Sequence, residues 1–247
     1  MNKIKELAVG KFTPENLLVS VSDSTRKINL EVEAQIDAIW EEKMKKAEQE
    51  GRVCFNGISY RLNSLKEKDQ KLVMDFGLLE YKARATLQTI PGYLELPEEY
   101  YHKGCYTGAT VKTADDKFII VELSGKSMNT FATDMLGGIM EKPLVIETGK
   151  DVFECIYVEL EEEACIGKND IKESYLRSVF LTSNCHTCFY FEAILNVSSE
   201  TLLDRFSNEN QDQDIKSLKV LSREEYLSFL KNHSSSTKQF ISEILNI

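Results

Sequence analysis

Apolar residues recur at helical spacing in an N-terminal stretch of the chain. The pattern predicts a helix from about Leu30 to Glu50, with Asn29 as its N-cap and Gly51 as its stop. Six residues form the apolar stripe of this helix: Val32, Ile36, Ile39, Trp40, Met44 and Ala47. The charged positions between them are expected on a solvated face.

A second helical pattern occupies residues 147–166 and separates an apolar face from an acidic one. Glu159, Glu162 and Glu163 are spaced i, i+3 and i+4, so a helix places their carboxylates on one face. The apolar face is predicted from five residues: Val152, Phe153, Ile156, Tyr157 and Leu160. Like charges at this spacing destabilise an isolated helix, and a divalent cation would reverse the effect. A solvated acidic face is the alternative interpretation.

Shorter apolar runs between polar turns predict strands. The predicted strands are residues 17–21, 53–63 and 71–76 (around a polar turn at 66–69), 110–121 as a hairpin, 175–182, 187–197 and 217–221. Short helices are predicted over 81–87, from Ser198 or Ser199 to Phe206, and after Ser222, where a capping-box spacing occurs. Pro91, Gly92 and Pro97 punctuate a connector that runs to about residue 101.

The composition is that of an acidic, folded protein. The chain has 247 residues, 42% of them hydrophobic, which supports a sizeable core. Its formal net charge of −10 disfavours attraction of DNA or RNA by the overall field, so no nucleic-acid partner is expected. No apolar run approaches the roughly 20 residues that span a bilayer, and the N-terminus lacks the apolar core of a signal peptide, so no membrane association is expected.

The cysteines favour a reducing compartment. Six are scattered through the chain, which is large enough to fold without disulfides, and we expect free thiols and a cytoplasmic location. The run Cys185-His186-Thr187-Cys188 has no second Cys/His pair to complete a four-ligand zinc site. The favoured interpretation is a loop or strand edge with two free thiols.

The acidic helix and the segments before it resemble a Nudix box. Gly149, Val158-Glu159-Leu160 and Glu162-Glu163-Ala164-Cys165-Ile166 are similar to its second half, and Leu136-Gly137-Gly138 is similar to its Gly-Gly entry. The hairpin at 110–121 stands where a Nudix domain is expected to begin. The departures are Val158 in place of Arg, Lys150 in place of the first Glu, Cys165 in place of Gly, and a longer segment after the Gly pair.

A second resemblance lies in the N-terminal part. Residues 33–40, 55–62 and 76–82 look like the N-terminal region of the UDP-sugar-hydrolysing Nudix proteins of animals and plants. Those relatives also carry an insertion after Gly-Gly and a box without the usual Arg. The resemblance covers roughly residues 30 to 230.

The resemblance implies an α/β (α+β) Nudix fold, a mixed β-sheet sandwiched between α-helices with an N-terminal α/β extension. The implied domains are residues 1–103 as a substrate-recognising extension, 104–232 as the Nudix hydrolase domain and 233–247 as a C-terminal helix. The implied reaction is hydrolysis of a nucleoside diphosphate sugar such as UDP-glucose or UDP-galactose to UMP and sugar 1-phosphate.

The resemblance also implies the site residues. Glu159, Glu162 and Glu163 are the expected catalytic residues and ligands of Mg²⁺, with Mn²⁺ as an alternative. A nucleotide sugar is the expected partner, and its expected contacts are Arg61, Tyr81, Lys82 and Gly138. Lys117, Lys126, Arg84, Arg177 and Phe131 are further basic or aromatic candidates.

Two alternatives remain open. One is a Nudix hydrolase of another diphosphate, such as ADP-ribose or a dinucleotide. The other is a Nudix-fold module that binds a nucleotide or protein without catalysis, which the missing box Arg favours.

Overall fold

The computed structural model describes residues 4–50, 55–125, 132–142, 144–210 and 212–245. Within these ranges the chain forms ten strands: β1 (Lys5–Phe12), β2 (Leu17–Val21), β3 (Ile58–Lys68), β4 (Lys71–Glu80), β5 (Cys105–Lys112), β6 (Phe118–Leu123), β7 (Thr133–Asp134), β8 (Ile171–Leu181), β9 (Thr187–Leu195) and β10 (Ile215–Leu221). The helices of the same ranges are α1 (Leu30–Gln49), α2 (Tyr81–Thr86), α3 (Gly149–Ala164), α4 (Ser199–Glu209), α5 (Arg223–Asn232) and α6 (Ser236–Ile244).

The strands form two sheets. The larger has the order β1-β8-β9-β5-β6-β10, with β7 paired to β6, and it is mixed because β5 and β9 run parallel while the other pairs are antiparallel. The smaller sheet has the order β2-β4-β3. Strand β1 therefore lies in the same sheet as strands from the predicted hydrolase domain. The division into 1–103, 104–232 and 233–247 stays a prediction.

Helices cover both faces of the larger sheet. Alternate residues of β5 and β9 point to opposite faces, as a strand requires. Ala109 and Phe191 pack in the core that holds the apolar face of α3, whereas Tyr190 packs in the core that holds Tyr226 of α5 and Ile241 of α6. The predicted class, a mixed β-sheet between α-helices, is confirmed.

The long N-terminal helix begins at its predicted cap. The Asn29 side chain accepts hydrogen bonds from the backbone N–H groups of Glu31 and Val32 at 3.0 and 3.3 Å, which satisfies two donors that the first turn leaves unpaired. Of the predicted stripe, Val32, Ile36 and Ala47 are buried. Short 3-10 turns over 87–100 occupy the predicted connector.

The hairpin β3–β4 differs from its prediction. The turn lies at Asp69 and Gln70 rather than at 66–69, and both residues have positive φ, 51° and 60°. A two-residue turn of this kind matches the twist of the strands, so the pairing continues to Lys68 and Lys71. Strand β3 also begins at Ile58, later than predicted. Gly51 and Val53, as well as Lys126 and Phe131, lie outside the described residues.

The remaining local predictions agree with the structure. The hairpin β5–β6 and the strands β8, β9 and β10 are present near their predicted positions. Ser198 caps α4, and Ser222 forms a capping box with Glu225 at the start of α5. No helix among the described ranges is long and apolar enough to cross a membrane.

The acidic helix α3 ends at a residue in the left-handed region. Cys165 has φ 54° and ψ 34°, and its N–H closes the last turn onto Glu161. This position normally takes glycine, because a Cβ strains a left-handed residue. Cys165 therefore occupies a backbone conformation that glycine adopts without strain.

We predict that Cys165→Gly stabilises the protein by about 1 kcal/mol, or about 2–4 °C in Tm, because it removes that strain. The matched control is Cys165→Ala, which removes the thiol and keeps the Cβ. Thermal unfolding of the three proteins measures the effect. A glycine variant no more stable than the alanine variant would show that Cys165 is not strained.

Candidate functional site

Two glutamates of α3 meet the Leu136-Gly137-Gly138 segment. The backbone N–H of Gly137 donates to Oε2 of Glu163 at 2.8 Å. A Cβ placed on Gly138 would overlap the carboxylate of Glu159. The structure therefore brings the predicted Gly-Gly segment and the predicted acidic helix into direct contact.

Strand β5 holds this glycine segment in place. The N–H of Thr107 donates to the carbonyl of Gly138 at 2.8 Å, and the N–H of Ala109 donates to that of Leu136 at 2.9 Å. Gly137 has φ 141°, and a Cβ there would overlap the Thr107 carbonyl. Only glycine lets the segment run this close to both the strand and the carboxylates.

Glu162, the third predicted ligand, is exposed and faces a different space. It lines an open groove of about 700 Å³ together with Glu161, Cys165, Gly167, Arg205, Glu209 and Asp212. In the part of the chain that the structure describes, no three His, Cys, Asp or Glu side chains are already arranged to hold a metal ion. Glu159 and Glu163 thus lie against the glycine segment, whereas Glu162 lines the neighbouring groove.

Burial and mutual repulsion raise the proton affinity of the two gathered carboxylates. Burial raises the pKa of Glu163 to about 9, with the Gly137 N–H opposing the shift and the charges of Glu159, Asp212 and Asp134 adding to it. The pKa of Glu159 rises to about 7, first because of burial and then because of the charges of Glu162, Glu141 and Asp212. A bound cation would relieve this repulsion, because it favours the ionised form of each carboxyl.

Further carboxylates near the site were not predicted from the sequence. Asp212 acts on both Glu159 and Glu163, and Glu141 acts on Glu159. Asp212 belongs to the acidic stretch after α4. That local excess of acidic residues is the feature of the sequence that could have pointed to Asp212 as a residue near the site. No local pattern in the sequence pointed to Glu141 as a residue near the site.

The donor set fits a hard divalent cation. Carboxylate oxygens are the ligands that Mg²⁺ and Mn²⁺ prefer, and Mg²⁺ retains several waters beside one or two carboxylates. Glu159 and Glu163 are the residues that would hold the ion, and Glu162 and Asp212 are within electrostatic reach of Glu159.

A cavity of about 280 Å³ opens beside Glu163. Two cationic residues line it, Arg84 from α2 and Lys238 from α6. Arg84 donates to the carbonyl of Cys105 at 3.0 Å and lies over the ring of Tyr106, which also lines the cavity. The site therefore combines a carboxylate cluster with an adjoining space that has positive charge on its walls.

The structure places Arg61, Tyr81 and Lys82 in other contacts. Arg61 is buried and donates to the carbonyls of His102 and Tyr101 at 3.2 and 3.3 Å. Lys82 pairs with Asp37 at 2.9 Å, and Tyr81 meets Trp40 edge to face. These three residues are not among the described residues that line the cavity. Their role as nucleotide contacts stays a prediction.

The Cys185–Cys188 run forms the turn between β8 and β9 and the start of β9. Cys185 has φ 64° and is buried, and the rings of His186 and His102 are 4.4 Å apart. Cys105, Cys155, Cys165, Cys185 and Cys188 are free thiols.

Comparisons with known proteins give partial likenesses of fold. No family model and no curated protein matches the sequence. Similar solved structures include a Nudix hydrolase from Nitrosomonas europaea (16% identity, 58% of this chain, 88% of that chain, TM-score 0.39). They also include a C. elegans Ap4A hydrolase (13% identity, 58% of this chain, 95% of that chain, TM-score 0.38). A third is the Nudix domain of Shewanella oneidensis NrtR complexed with ADP ribose (10% identity, 68% of this chain, 97% of that chain, TM-score 0.44). At these identities and scores the likeness says nothing about the substrate of this chain.

The raised pKa of Glu163 makes stability depend on pH. Because its folded pKa of about 9 exceeds the value of about 4.3 for an unfolded glutamate, the stability it contributes is present at low pH. That stability falls as pH rises between these two values. We predict that Glu163→Gln raises Tm by at least about 2–4 °C at pH 8 in the absence of metal. At that pH the unfolded glutamate is ionised and must take up a proton to fold, a cost on the order of 1 kcal/mol or more that glutamine does not carry.

Calorimetry in a chelator at pH 5 and pH 8 measures this effect. At pH 5 the difference in Tm should be much smaller, because the pH is then close to the pKa of the unfolded glutamate and the proton uptake on folding costs little. Glu161→Gln, on the exposed face of the same helix, is the control and should change Tm little at either pH. An equal shift for Glu163→Gln at both pH values would contradict the expectation.

Proposed function

We propose that this chain is a metal-dependent hydrolase of Nudix type that splits the diphosphate of a nucleoside diphosphate sugar. UDP-glucose and UDP-galactose are the proposed substrates, and UMP and sugar 1-phosphate the products. The observation that carries the proposal is the contact of Glu159 and Glu163 with Gly138 and Gly137. The free thiols favour a cytoplasmic location.

The carboxylates have distinct placements that suit this reaction. Glu159 and Glu163 would hold Mg²⁺ or Mn²⁺, with Glu162 completing the set from the rim. The ion, when bound, would neutralise charge developing on phosphoryl oxygens and acidify a water. The Gly137 N–H fixes one oxygen of the Glu163 carboxylate. A carboxylate of this cluster that does not bind the ion directly would be free to orient or deprotonate the attacking water.

A cation from outside the box is proposed to replace the missing Arg at Val158. Burial raises the pKa of Glu141, and the charge of Arg84 opposes that shift. The charge of Glu141 in turn raises the pKa of Glu159. Arg84 also lines the cavity beside Glu163. It therefore supplies positive charge to the same cluster from helix α2.

The size of the cavity bears on the alternatives. Pockets that enclose a whole drug-sized ligand are about 300–1,000 Å³, so 280 Å³ holds one part of a nucleotide sugar and leaves the rest outside. ADP-ribose and dinucleotides remain alternative substrates. A binding module without catalysis is the second candidate function, favoured by Val158 and by the separate position of Glu162.

Product release from a substrate panel tests the proposal. UDP-glucose, UDP-galactose, ADP-ribose, CDP-choline and NADH are incubated with the protein, with and without Mg²⁺ or Mn²⁺. Metal-dependent UMP from the UDP-sugars alone is expected. Turnover of another panel member would keep the chemistry and overturn the substrate, and no turnover with either metal would favour the binding module.

We predict that Glu159→Gln and Glu163→Gln each lower kcat by about 100–1,000-fold, because each removes a charge that the transition state needs. Glu162→Gln should also lower kcat if its side chain completes the metal site. The matched control is Glu154→Gln on the same helix, whose carboxylate pairs with Lys168 at 2.6 Å.

A metal titration accompanies these rates. Mn²⁺ should raise the Tm of the parent protein and of Glu154→Gln, and should raise that of Glu163→Gln much less. Full activity in both Glu159→Gln and Glu163→Gln would overturn the site assignment.

A further inference from the structure

Helix α6 presents a lysine to the interior of the protein. Lys238 and Ile241 are one turn apart and are 4% and 2% exposed, while Gln239 and Glu243 of the same helix are exposed. An inward-facing position on a short amphipathic helix normally carries an apolar side chain. Lys238 thus stands where packing alone would favour a residue such as leucine.

The buried ammonium group is paired across the cavity wall. Nζ of Lys238 lies 2.6 Å from Oδ1 of Asp134 in β7, and it lies 5.9 Å from the ring centroid of Phe229. The Lys238 side chain is 5% exposed and that of Asp134 is 24% exposed. Such a pair adds little stability compared with an apolar residue at position 238, because the ammonium group loses its hydration. Stability therefore does not account for the presence of this lysine.

The pair borders the same space as the carboxylate cluster. Lys238, Asp134 and Glu163 line one cavity, and the charge of Asp134 contributes to the raised pKa of Glu163. Ser235 and Thr237, at the start of α6, also line it and bring hydroxyl groups. The C-terminal helix therefore contributes polar residues to the wall of the cavity, and the ammonium group of one of them is paired with Asp134, which lines the same cavity.

We propose that α6 is a substrate-binding element and that Lys238 binds a phosphate oxygen of the nucleoside diphosphate moiety. This inference rests on the proposed function for its ligand class. In the free protein Lys238 is held by Asp134, and the substrate phosphate takes over part of that interaction. A lysine is a compact point charge that pairs with phosphate in this way, and the burial of Lys238 strengthens the attraction.

The proposal explains how an acidic site accepts an anion. Asp134 and Glu163 line the cavity, and the charges of Glu141 and Asp212 act on Glu159 in the adjoining carboxylate cluster. A diphosphate entering there needs cations besides the metal. Lys238 on one wall and Arg84 on another supply them.

The test measures both binding and turnover for Lys238→Met. Binding of UDP and of ADP is titrated calorimetrically in the full chain without divalent metal, and KM and kcat are measured with the best panel substrate. We expect the dissociation constant and KM to rise by about 10–100-fold, the loss of one hydrogen bond to a charged group, with a smaller change in kcat. The control is Lys231→Met, an exposed lysine of α5, which should leave both unchanged.

A second variant guards against a folding defect. Asp134→Asn removes the carboxylate that competes for Lys238, so UDP and ADP should bind more tightly by several-fold, a gain that a damaged fold cannot produce. Unchanged dissociation constants for folded Lys238→Met, or weaker binding to Asp134→Asn, would overturn the proposal. If the parent protein binds UDP through Lys238 but hydrolyses no substrate, the proposed function fails and this inference stands.

Discussion

The close approach of a glycine segment to two carboxylates organises the candidate site. Glu159 and Glu163 can reach this position only because Gly138 has no side chain and because Gly137 adopts a backbone conformation that other residues avoid. The same segment is hydrogen-bonded to β5, so the position of the helix relative to the sheet sets the position of the carboxylates. When α3 packs its apolar face on the sheet, the same placement brings its acidic face to the glycines.

This arrangement concentrates negative charge where solvent access is limited. The pKa values of Glu159 and Glu163 rise to about 7 and about 9 because burial and neighbouring carboxylates disfavour their ionised forms. Natural folds keep such unfavourable clusters mainly at sites of function. Arg84 in α2 and Lys238 in α6, which are 154 positions apart in the sequence, provide the positive charge that lines the adjoining cavity.

Buried polar residues of the N-terminal segments form hydrogen bonds with other parts of the same chain. Arg61 in β3 is surrounded by backbone carbonyls of the connector and by Asn63, whose amide in turn donates to Asp75 at 3.0 Å. This network joins the smaller sheet to the connector that precedes β5. A sequence shows that an arginine lies in a strand, but not whether its partners are carbonyls of its own chain or oxygens of a ligand.

The sequence by itself determined the local elements: the caps of α1, α4 and α5, the hairpin β5–β6, and the phase of α3 that puts three glutamates on one face. These follow from interactions between residues a few positions apart, which side-chain periodicity and capping chemistry report directly. The turn of β3–β4 was misplaced because the polar residues before it are as suited to a strand edge as to a turn. The meeting of Gly137 with Glu163, 26 positions later, was expected only through the resemblance to a family. Tertiary structure alone decided that Glu162 lines the neighbouring groove, that Asp212 and Glu141 act on the cluster, and that Lys238 lines the cavity. Such contacts depend on how whole elements dock across the sheet, and no local pattern in the chain records that docking.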